Sequence, residues 1–325
     1  MVSSKKVLVI VISSIILALG VGILVPMLQG QGALISGTHN SATQPGKGFE
    51  YQDTWYSFRD DIQTILVMGL DKYERPEESW GYLNNQQADF LMLLIVDKAA
   101  GSCNILHLNR DTMTEINRLG VAGDAAGTFV GQLALAHTYG SGGSDSCLNA
   151  TKAVSNLLCG IKIDHYITMT MEAVETITDY IGGVEVEILD DFTSIDPDMV
   201  QGQKVLLNGK QALSYVRTRR ELDDSSNLRR MERQRQFMNA FYQKLLNCGN
   251  GDENYLTKMM LSVSDSIVSD CTVNQLSSLM EELGSCSLNA ISPLDGEAVK
   301  GEEFMEFYVD EQSLKSTIIS LFCKS

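Results

Sequence analysis

Three early stretches of the chain are almost continuously apolar and predict buried strands of one sheet. They span 62–69 (IQTILVMG), 90–96 (FLMLLIV) and 103–108 (CNILHL). Unbroken apolar runs of this length are typical of strands that are covered on both faces. The turn sequence DKAAG at 97–101 separates the second run from the third, so we expect these two strands to be antiparallel neighbours.

Helical spacing of apolar residues becomes frequent in the later part of the chain. It predicts helices at 145–159, 172–180, 209–215, 229–246 and 310–322, and two more within 254–283. Further strands are predicted at 165–169, 184–188 and 304–309. Strands and helices thus alternate without an internal repeat or a second linker. The pattern indicates one α/β domain with a mixed sheet that is covered on both faces.

The N-terminal residues differ from the rest because they form an uncharged apolar run. Lys5 and Lys6 precede residues 7–25 (VLVIVISSIILALGVGILV), and Pro26 follows. As a helix this run would span roughly 28 Å, about the thickness of the hydrocarbon core of a bilayer. A cleaved signal peptide has a shorter apolar region followed by small residues, so the run favours an uncleaved transmembrane anchor.

The two lysines also predict how the chain is oriented in the membrane. The positive-inside tendency puts residues 1–6 in the cytoplasm as a short tail and everything after the helix outside. Residues 26–60 begin with a stretch rich in Gly, Ser and Thr, and we interpret them as a linker. Residues 61–325 then form an extracytoplasmic domain. We therefore expect a single-pass protein of the cell membrane with an extracellular domain.

Composition narrows the possible ligands and the state of the cysteines. The formal net charge of −16 argues against nucleic acid as a partner, because neutralising phosphates needs a basic surface. A phosphate site in this chain must therefore be a local cluster of cations. The seven cysteines show no CxxC and no zinc-type Cys/His spacing, and most lie in apolar stretches, which predicts buried free thiols. A Cys271–Cys286 disulfide remains open.

One segment of the chain concentrates arginine. Its seven arginines are at positions 217, 219, 220, 229, 230, 233 and 235. If the chain is extended around Arg217 and Arg219, these two side chains point to the same side. On the following helix Arg230, Arg233 and Gln234 share a face. Guanidinium groups bind phosphate oxygens bidentately, so the segment predicts a phosphate site. The alternative is a solvated basic helix with salt bridges to nearby carboxylates.

Charged residues at predicted strand ends add to this cluster. Arg110 follows the strand at 103–108, Asp71 follows the first strand and Asp89 precedes the second. Two carboxylates at one sheet edge can hold Mg²⁺, which completes its shell with water and phosphate oxygens. In phosphoryl transfer, arginines and metal ions stabilise charge and little covalent chemistry is required of the protein. No GxSxG, Walker A or HExxH motif occurs, so a serine hydrolase or a metalloprotease has no support.

Taken in order, the motifs of the chain resemble those of the LytR–CpsA–Psr family of bacterial cell-wall enzymes. The resemblance covers the anchor and about residues 60–325. The segments that carry it are ILVMGLD (65–71), ADFLML (88–93), LNRDT (108–112), IDHY (163–166), IGGV (181–184), LNGKQALSYVRTR (207–219) and RMERQ (230–234). The YVRxR segment followed by RxxRQ is quite specific to the family.

The resemblance implies a three-layer α/β/α sandwich around a mixed central sheet. It also implies a phosphotransferase that moves a secondary glycopolymer, such as teichoic acid or capsule, from undecaprenyl pyrophosphate to peptidoglycan by phosphodiester formation. Asp71 and Asp89 look like the Mg²⁺-associated aspartates of the family. The residues that look like its pyrophosphate binders are Arg110, Arg217, Arg219, Arg230, Arg233 and Gln234. The expected catalytic residues are Arg110, Asp111, Arg217 and Arg219, with Asp111 as one candidate general base.

The chain departs from the family pattern at three places near these motifs. Gln87 stands where the family usually has the arginine of Arg-x-Asp, and Asn109 stands where it usually has proline. The stretch 132–135 (QLAL) replaces Lys-x-Asn-His. Two alternatives to the transferase stay open: a non-catalytic envelope protein that binds polyprenyl phosphate, consistent with the missing arginine at Gln87, and a pyrophosphatase that releases the lipid carrier, since the same site could admit water. The aspartate pair favours catalysis, because lipid binding alone would not need a metal.

Overall fold

Alternating strands and helices make up the part of the chain that the structure describes. The computed structural model describes residues 46–71, 83–84, 86–120, 123–219, 222, 226–246, 248, 255, 258–259, 262–271, 275 and 286–324. Its strands are β1 (Gly48–Tyr51), β2 (Thr54–Ser57), β3 (Ile62–Leu70), β4 (Ala88–Asp97), β5 (Ser102–Leu108), β6 (Met113–Leu119), β7 (Ala125–Gln132), β8 (His165–Thr170), β9 (Val184–Glu187), β10 (Lys204–Leu207), β11 (Ile267–Ser269), β12 (Ser287–Pro293), β13 (Gly296–Lys300) and β14 (Met305–Val309). Its helices are α1 (Ser144–Leu157), α2 (Glu172–Tyr180), α3 (Gly209–Arg217), α4 (Asn227–Leu246) and α5 (Glu311–Phe322), with short 3₁₀ turns at Leu133–Thr138 and Ser264–Ser266.

Six of these strands form one mixed central sheet in the order β11-β8-β3-β4-β5-β12. β3, β4 and β5 are successive antiparallel neighbours, and the turn at 97–101 predicted the pairing of β4 with β5. β8 pairs in parallel with β3, and β12 pairs in parallel with β5. β11 closes one side in antiparallel pairing with β8. The three apolar runs therefore occupy the middle of the sheet, where both faces are covered.

Helices cover both faces of this sheet, as the fold class predicts. On one face, Leu66 of β3 and Leu93 of β4 pack in one core with residues of α1 and α5 such as Val154 and Ile318. On the other face, alternate residues of the same strands pack against α4, including Met238. The alternation follows from the two-residue period of a strand. A further core joins α2, α3, α4 and the β9–β10 hairpin beside the sheet. The architecture is a mixed α/β fold in three layers.

The boundary of the predicted linker at residue 60 is wrong. β1 and β2 form an antiparallel hairpin within the predicted linker, and the Phe49 side chain is only 1% exposed. Its ring packs against Tyr56 and Phe58, with centroid separations of 5.8 and 5.9 Å. Four-residue strands are too short to show a period, which is why the hydrophobic pattern did not reveal them.

Several other differences concern short elements and the chain termini. The β6–β7 hairpin and strands β12 and β13 were not predicted, since their residues are largely exposed and mixed in polarity. The helices predicted within 254–283 lie mostly outside the described residues, and the part that is described includes strand β11. The predicted anchor at 7–25 also lies outside the described residues. Within the part of the chain that is described, no helix is both long enough and apolar enough to cross a membrane.

The cysteines behave as the apolar context predicts. All seven lie among the described residues, and no disulfide bond joins any of them. Five are buried, and Cys248 and Cys271 are half-buried. Cys271 and Cys286 do not form the disulfide that the sequence left open. Burial raises the pKa of the Cys103 and Cys147 thiols to about 12, which keeps them protonated at neutral pH.

Candidate active site at one end of the central sheet

Strand ends bring Asp71, Asp89 and Arg110 to one edge of the central sheet. β3 ends directly before Asp71, and β5 ends two residues before Arg110. β4 runs antiparallel to both strands, so its first residues, including Asp89, lie at the same end. Three neighbouring strands therefore deliver two carboxylates and one guanidinium to a single region, as the sequence predicted.

A β-bulge sets the direction of the Asp89 side chain. In the ladder between β3 and β4, Gly69 pairs with Phe90 and Leu70 pairs with Ala88, so Asp89 is the extra residue between them. A bulge re-aims the side chain of the extra residue, and bulges are common beside active sites. The Asp89 carboxylate contacts the Arg110 guanidinium, and only 14% of its side chain is exposed. The bulge thus turns a residue of a buried strand toward the charged edge.

Helix α3 brings Arg217 to the same edge. Its start is fixed by a capping box, in which Gln211 N donates to Asn208 Oδ1 at 3.0 Å and Asn208 N donates to Gln211 Oε1 at 3.1 Å. The helix ends at Arg217, whose Nε lies 3.1 Å from Asp71 Oδ1. The extended conformation considered around Arg217 and Arg219 is therefore wrong for Arg217. Helix α3 continues two residues beyond its predicted end.

The first turn of α4 adds Arg230, which is only 5% exposed. Its Nη2 donates to Asn227 Oδ1 at 2.6 Å and to the Asp89 carbonyl at 3.2 Å. Asn227 Nδ2 donates in turn to Asn109 Oδ1 at 2.6 Å. These bonds join the start of α4 to the end of β5 and hold Arg230 beside Arg110. Sequence reasoning missed Asn227, although asparagine at a helix start is a known capping signal.

The arginines gathered at this edge repel one another. Burial, followed by repulsion from Arg110 and Arg219, lowers the pKa of Arg230 to about 9. Burial also lowers the pKa of Arg110, although Asp111 and Asp71 oppose that effect. The four arginines at positions 110, 217, 219 and 230 outnumber the aspartates at positions 71, 89 and 111 by one, in a chain of formal net charge −16. An anion with several oxygens would relieve this repulsion.

Asp111 lies beneath these arginines and is 4% exposed. Its Oδ1 accepts a hydrogen bond from Gln132 Nε2 at 3.0 Å and lies 3.4 Å from Arg110 Nε. Burial raises the pKa of this carboxyl, while Arg110 and then Arg219 act in the opposite direction. Asp111 is therefore a carboxylate whose proton affinity is increased beside the arginine cluster. Gln132, one of the departures from the family pattern, holds it in place.

Arg233 does not take part in this cluster, although it shares a helix face with Arg230. Its side chain is fully buried, and its Nε donates to the Tyr215 carbonyl at 2.9 Å. Its other two nitrogens bind the Asp190 carboxylate and the Thr218 carbonyl. The structure therefore does not bring Arg233 together with the arginine cluster, because all three of its guanidinium nitrogens bind partners within the protein. Arg233 instead anchors the segment that carries Arg217.

An apolar groove of about 170 Å³ opens beside the arginines. Gln234 belongs to its wall: the side chain is 4% exposed and its Nε2 donates to the Val216 carbonyl at 3.0 Å. The structure thus places Gln234 in the groove and not among the guanidinium groups. Most of the lining is hydrophobic, with residues such as Val67, Met92, Met169, Val174, Phe237 and Met238. Gly69 and Phe90 also line the groove, next to the strand ends that carry Asp71 and Asp89. The groove therefore starts at the charged edge.

Comparison with known proteins assigns the family. Residues 33–318 match the model of the LytR_cpsA_psr family. The chain belongs to this family. It is 27% identical over 256 residues to the polyisoprenyl-teichoic acid–peptidoglycan teichoic acid transferase TagU of Enterococcus faecalis, a match covering 77% of this chain and 76% of that protein. It is 30% identical over 180 residues to the TagU of Halalkalibacterium halodurans, a match covering 55% of this chain and 52% of that protein.

The LytR–CpsA–Psr fold is also found among solved structures similar to this chain. The crystal structure of TagV from Bacillus subtilis matches with a TM-score of 0.59 at 21% identity, covering 81% of this chain and 96% of that one. At this identity the likeness concerns the fold. The family resemblance drawn from the motifs is therefore confirmed, and so is the mixed α/β fold.

Proposed function

We propose that this LytR–CpsA–Psr protein transfers a glycopolymer from a polyprenyl pyrophosphate carrier to peptidoglycan. The observation that carries the proposal is the position of a crowded arginine cluster at the start of an apolar groove. That combination suits a ligand with a multiply charged head and a hydrocarbon tail. The names of the relatives, polyisoprenyl-teichoic acid–peptidoglycan teichoic acid transferases, support the same class of substrate.

In the proposed reaction, the arginines hold the pyrophosphate while a hydroxyl of peptidoglycan attacks. The hydroxyl oxygen bonds to the phosphorus that carries the sugar, the P–O–P bond breaks, and the lipid leaves as its monophosphate. Arg110, Arg217 and Arg219 stabilise the charge on the phosphate oxygens, and Arg230 adds to the binding of the pyrophosphate. Asp111 is our candidate to accept the hydroxyl proton, because burial raises its pKa.

The residues at the edge also fit Mg²⁺. Asp71 and Asp89 offer hard carboxylate oxygens at adjacent strand ends, and the Oδ1 atom of each is buried against an arginine. Carboxylates in small number, completed by water and phosphate oxygens, are the usual ligands of this ion. Bound there, Mg²⁺ would supply further positive charge to the phosphate oxygens. We propose Asp71 and Asp89 as its ligands.

We further propose that the N-terminal apolar run anchors the chain in the cell membrane, with the folded domain outside. A lipid-linked donor and a peptidoglycan acceptor would both be reached from that position. Attaching a reporter to either end of the full-length chain and testing its access to protease in intact cells would check the orientation. Protection of an N-terminal reporter with cleavage of a C-terminal one is the expected result, and the reverse would contradict it.

An in vitro transfer assay tests the function itself. The full-length chain is mixed with a synthetic lipid-pyrophosphate sugar, peptidoglycan oligomers and Mg²⁺, and products are measured by mass spectrometry. We expect a phosphodiester-linked product that falls by at least about 10²-fold in Arg217→Ala, since removing one donor to a developing charge costs this much. The matched control is Arg229→Ala, an arginine of the same segment that pairs with Asp190 and Glu232 away from the cluster.

The outcomes separate the three candidate functions. A phosphodiester product supports the transferase. Free phosphorylated sugar without that product supports the pyrophosphatase, and tight donor binding without any turnover supports a binding protein. Activity that survives Arg217→Ala unchanged would contradict the site assignment while leaving the reaction itself intact.

The apolar groove is tested separately by filling it. Met238 lines the groove from α4, so Met238→Trp should block a lipid tail while Met238→Leu should not. We expect weaker binding of a long-chain polyprenyl pyrophosphate in Met238→Trp, with little change for inorganic pyrophosphate. Equal affinity of wild type and Met238→Trp for the long-chain ligand would contradict a lipid-binding role of the groove.

A further inference from the structure

A histidine, an aspartate and a cysteine converge at the side of the central sheet where β11 pairs with β8. His165 is the first residue of β8, and Asp270 and Cys271 directly follow β11. One possible ligand atom from each lies within 4.8 Å of the others. His165 Nδ1 is 3.6 Å from Asp270 Oδ1, and Cys271 Sγ is 3.8 Å from the same oxygen. The three side chains are partly exposed, so the cluster is accessible from solvent.

Strand pairing explains why these residues meet. β11 runs antiparallel to β8, with Ile267 opposite Met169 and Ser269 opposite Ile167. Continuing that register by two residues places Cys271 opposite His165. The Asp270 carboxylate is fixed in addition, because it accepts a hydrogen bond from Tyr166 N at 3.0 Å. The cluster is therefore held by the sheet itself and not by a long loop.

The cluster is separate from the arginine edge. β8 runs parallel to β3, with His165 beside Ile65 and Thr170 beside Leu70. Asp71 follows Leu70, so the two sites lie at opposite ends of these strands. At about 3.3 Å per residue, the five-residue interval between His165 and Thr170 corresponds to roughly 17 Å. A ligand at one site cannot contact the other directly.

We propose that His165, Asp270 and Cys271 form a binding site for a divalent metal ion of the zinc type. Imidazole nitrogen, thiolate sulfur and carboxylate oxygen are the three ligand classes that Zn²⁺ takes in proteins, whereas Mg²⁺ and Ca²⁺ prefer oxygen alone. A tetrahedral ion with bonds of about 2.0 Å to nitrogen and oxygen and about 2.3 Å to sulfur separates nitrogen from oxygen by about 3.3 Å and sulfur from oxygen by about 3.5 Å. The separations of 3.6 and 3.8 Å found here are longer than these values by about 0.3 Å, a difference that small side-chain rotations would close.

The imidazole faces the other two groups. His165 Nδ1 is buried and lies 3.6 Å from Asp270 Oδ1. A metal ion between the two atoms would replace this direct contact. With three protein ligands, the fourth position of the ion would be filled by water. Because β11 has only three residues, the ion would fasten a short outer strand to the sheet.

Metal titration of the full-length chain in mild detergent tests the site, with Co²⁺ as a spectroscopic probe and Zn²⁺ as competitor. Excess Mg²⁺ is present throughout to fill oxygen-only sites. We expect one Co²⁺ per chain with a thiolate-to-cobalt charge-transfer band, which Zn²⁺ abolishes. The band should disappear in Cys271→Ser, and affinity should fall at least about 10-fold in His165→Asn. Cys248→Ser is the matched control, because Cys248 is the other half-buried thiol. This control should behave as wild type.

A second measurement uses the wild-type chain alone, so it does not depend on whether the variants fold. In the wild-type chain, Zn²⁺ should slow alkylation of Cys271, followed by peptide mass spectrometry, and leave the alkylation of Cys248 unchanged. The absence of a charge-transfer band in wild type, its persistence in Cys271→Ser, or equal alkylation of Cys271 with and without Zn²⁺ would each overturn the proposal. None of these readouts depends on glycopolymer transfer.

Discussion

Removing the charge of Arg230 should stabilise the free chain, although it should weaken the proposed ligand site. Burial, and then repulsion from Arg110 and Arg219, lowers the Arg230 pKa from 12.5 to about 9. At about 1.36 kcal/mol per pKa unit, this shift corresponds to on the order of 5 kcal/mol that opposes folding with a charged side chain. Arg230→Met removes the charge and keeps a long apolar stem at a site that is 5% exposed.

The gain is reduced by the hydrogen bonds that Arg230 makes. Its Nη2 donates to Asn227 Oδ1 and to the Asp89 carbonyl, and each bond lost costs about 1 kcal/mol. We therefore expect Arg230→Met to raise the free energy of unfolding by about 1–3 kcal/mol. Replacement of buried charges by apolar side chains has stabilised other proteins by similar amounts.

Urea unfolding of the full-length chain in mild detergent at neutral pH, with and without inorganic pyrophosphate, measures this effect. Arg229→Met is the matched control, because Arg229 is the preceding residue and its hydrogen bonds to Asp190 and Glu232 raise its pKa. The control should lose about 1 kcal/mol, the opposite sign. Pyrophosphate should stabilise wild type more than Arg230→Met. A loss of more than about 1 kcal/mol in Arg230→Met without pyrophosphate would contradict this prediction, because the charge of Arg230 would then stabilise the fold.

Three further predictions concern other parts of the molecule. His107 is 1% exposed and burial lowers its pKa to about 3, so the folded ring stays neutral while the unfolded one gains a proton below about pH 6.5. The free energy of unfolding should therefore fall by about 2 kcal/mol between pH 7 and pH 5. Urea unfolding of His107→Gln should lack this part of the fall. The same pH dependence of the unfolding free energy in wild type and His107→Gln would contradict the prediction. Gln87→Arg adds a cation and removes the acceptor of Arg110 Nη2, so the free chain should melt at a lower temperature than wild type. Pyrophosphate should raise the melting temperature of this variant more than that of wild type. An equal increase in both would argue against an anion site. Phe49→Ala should lower the free energy of unfolding, measured with urea, by about 3–5 kcal/mol. No loss of stability would indicate that Phe49 belongs to a linker after all.

The central strands could be predicted because their environment leaves a simple pattern in the sequence. β3, β4 and β5 are buried on both faces, so their apolar residues run without interruption. The β1–β2 hairpin lacks such a pattern, since it is held by Phe49 and by packing against residues distant in sequence. Local periodicity carries no information about such partners.

The candidate site shows the same limit at the level of single side chains. Arg230 and Arg233 share a helix face, and their spacing predicts the same role for both. Their surroundings separate them: Arg230 meets other arginines, whereas Arg233 meets Asp190 and two backbone carbonyls. Asp190 comes from a segment far from either arginine in sequence, so the difference could not be predicted from spacing. The direction of Asp89 depends similarly on a bulge that only the pairing of β3 with β4 reveals.

The stoichiometry of the reaction distinguishes glycopolymer transfer from hydrolysis of the lipid pyrophosphate. Wild-type chain is incubated with a synthetic lipid-pyrophosphate sugar, peptidoglycan oligomers and Mg²⁺, and both lipid monophosphate and the phosphodiester product are quantified. We expect one phosphodiester bond for each lipid monophosphate released. Release of lipid monophosphate without the phosphodiester, or no release at all, would contradict it.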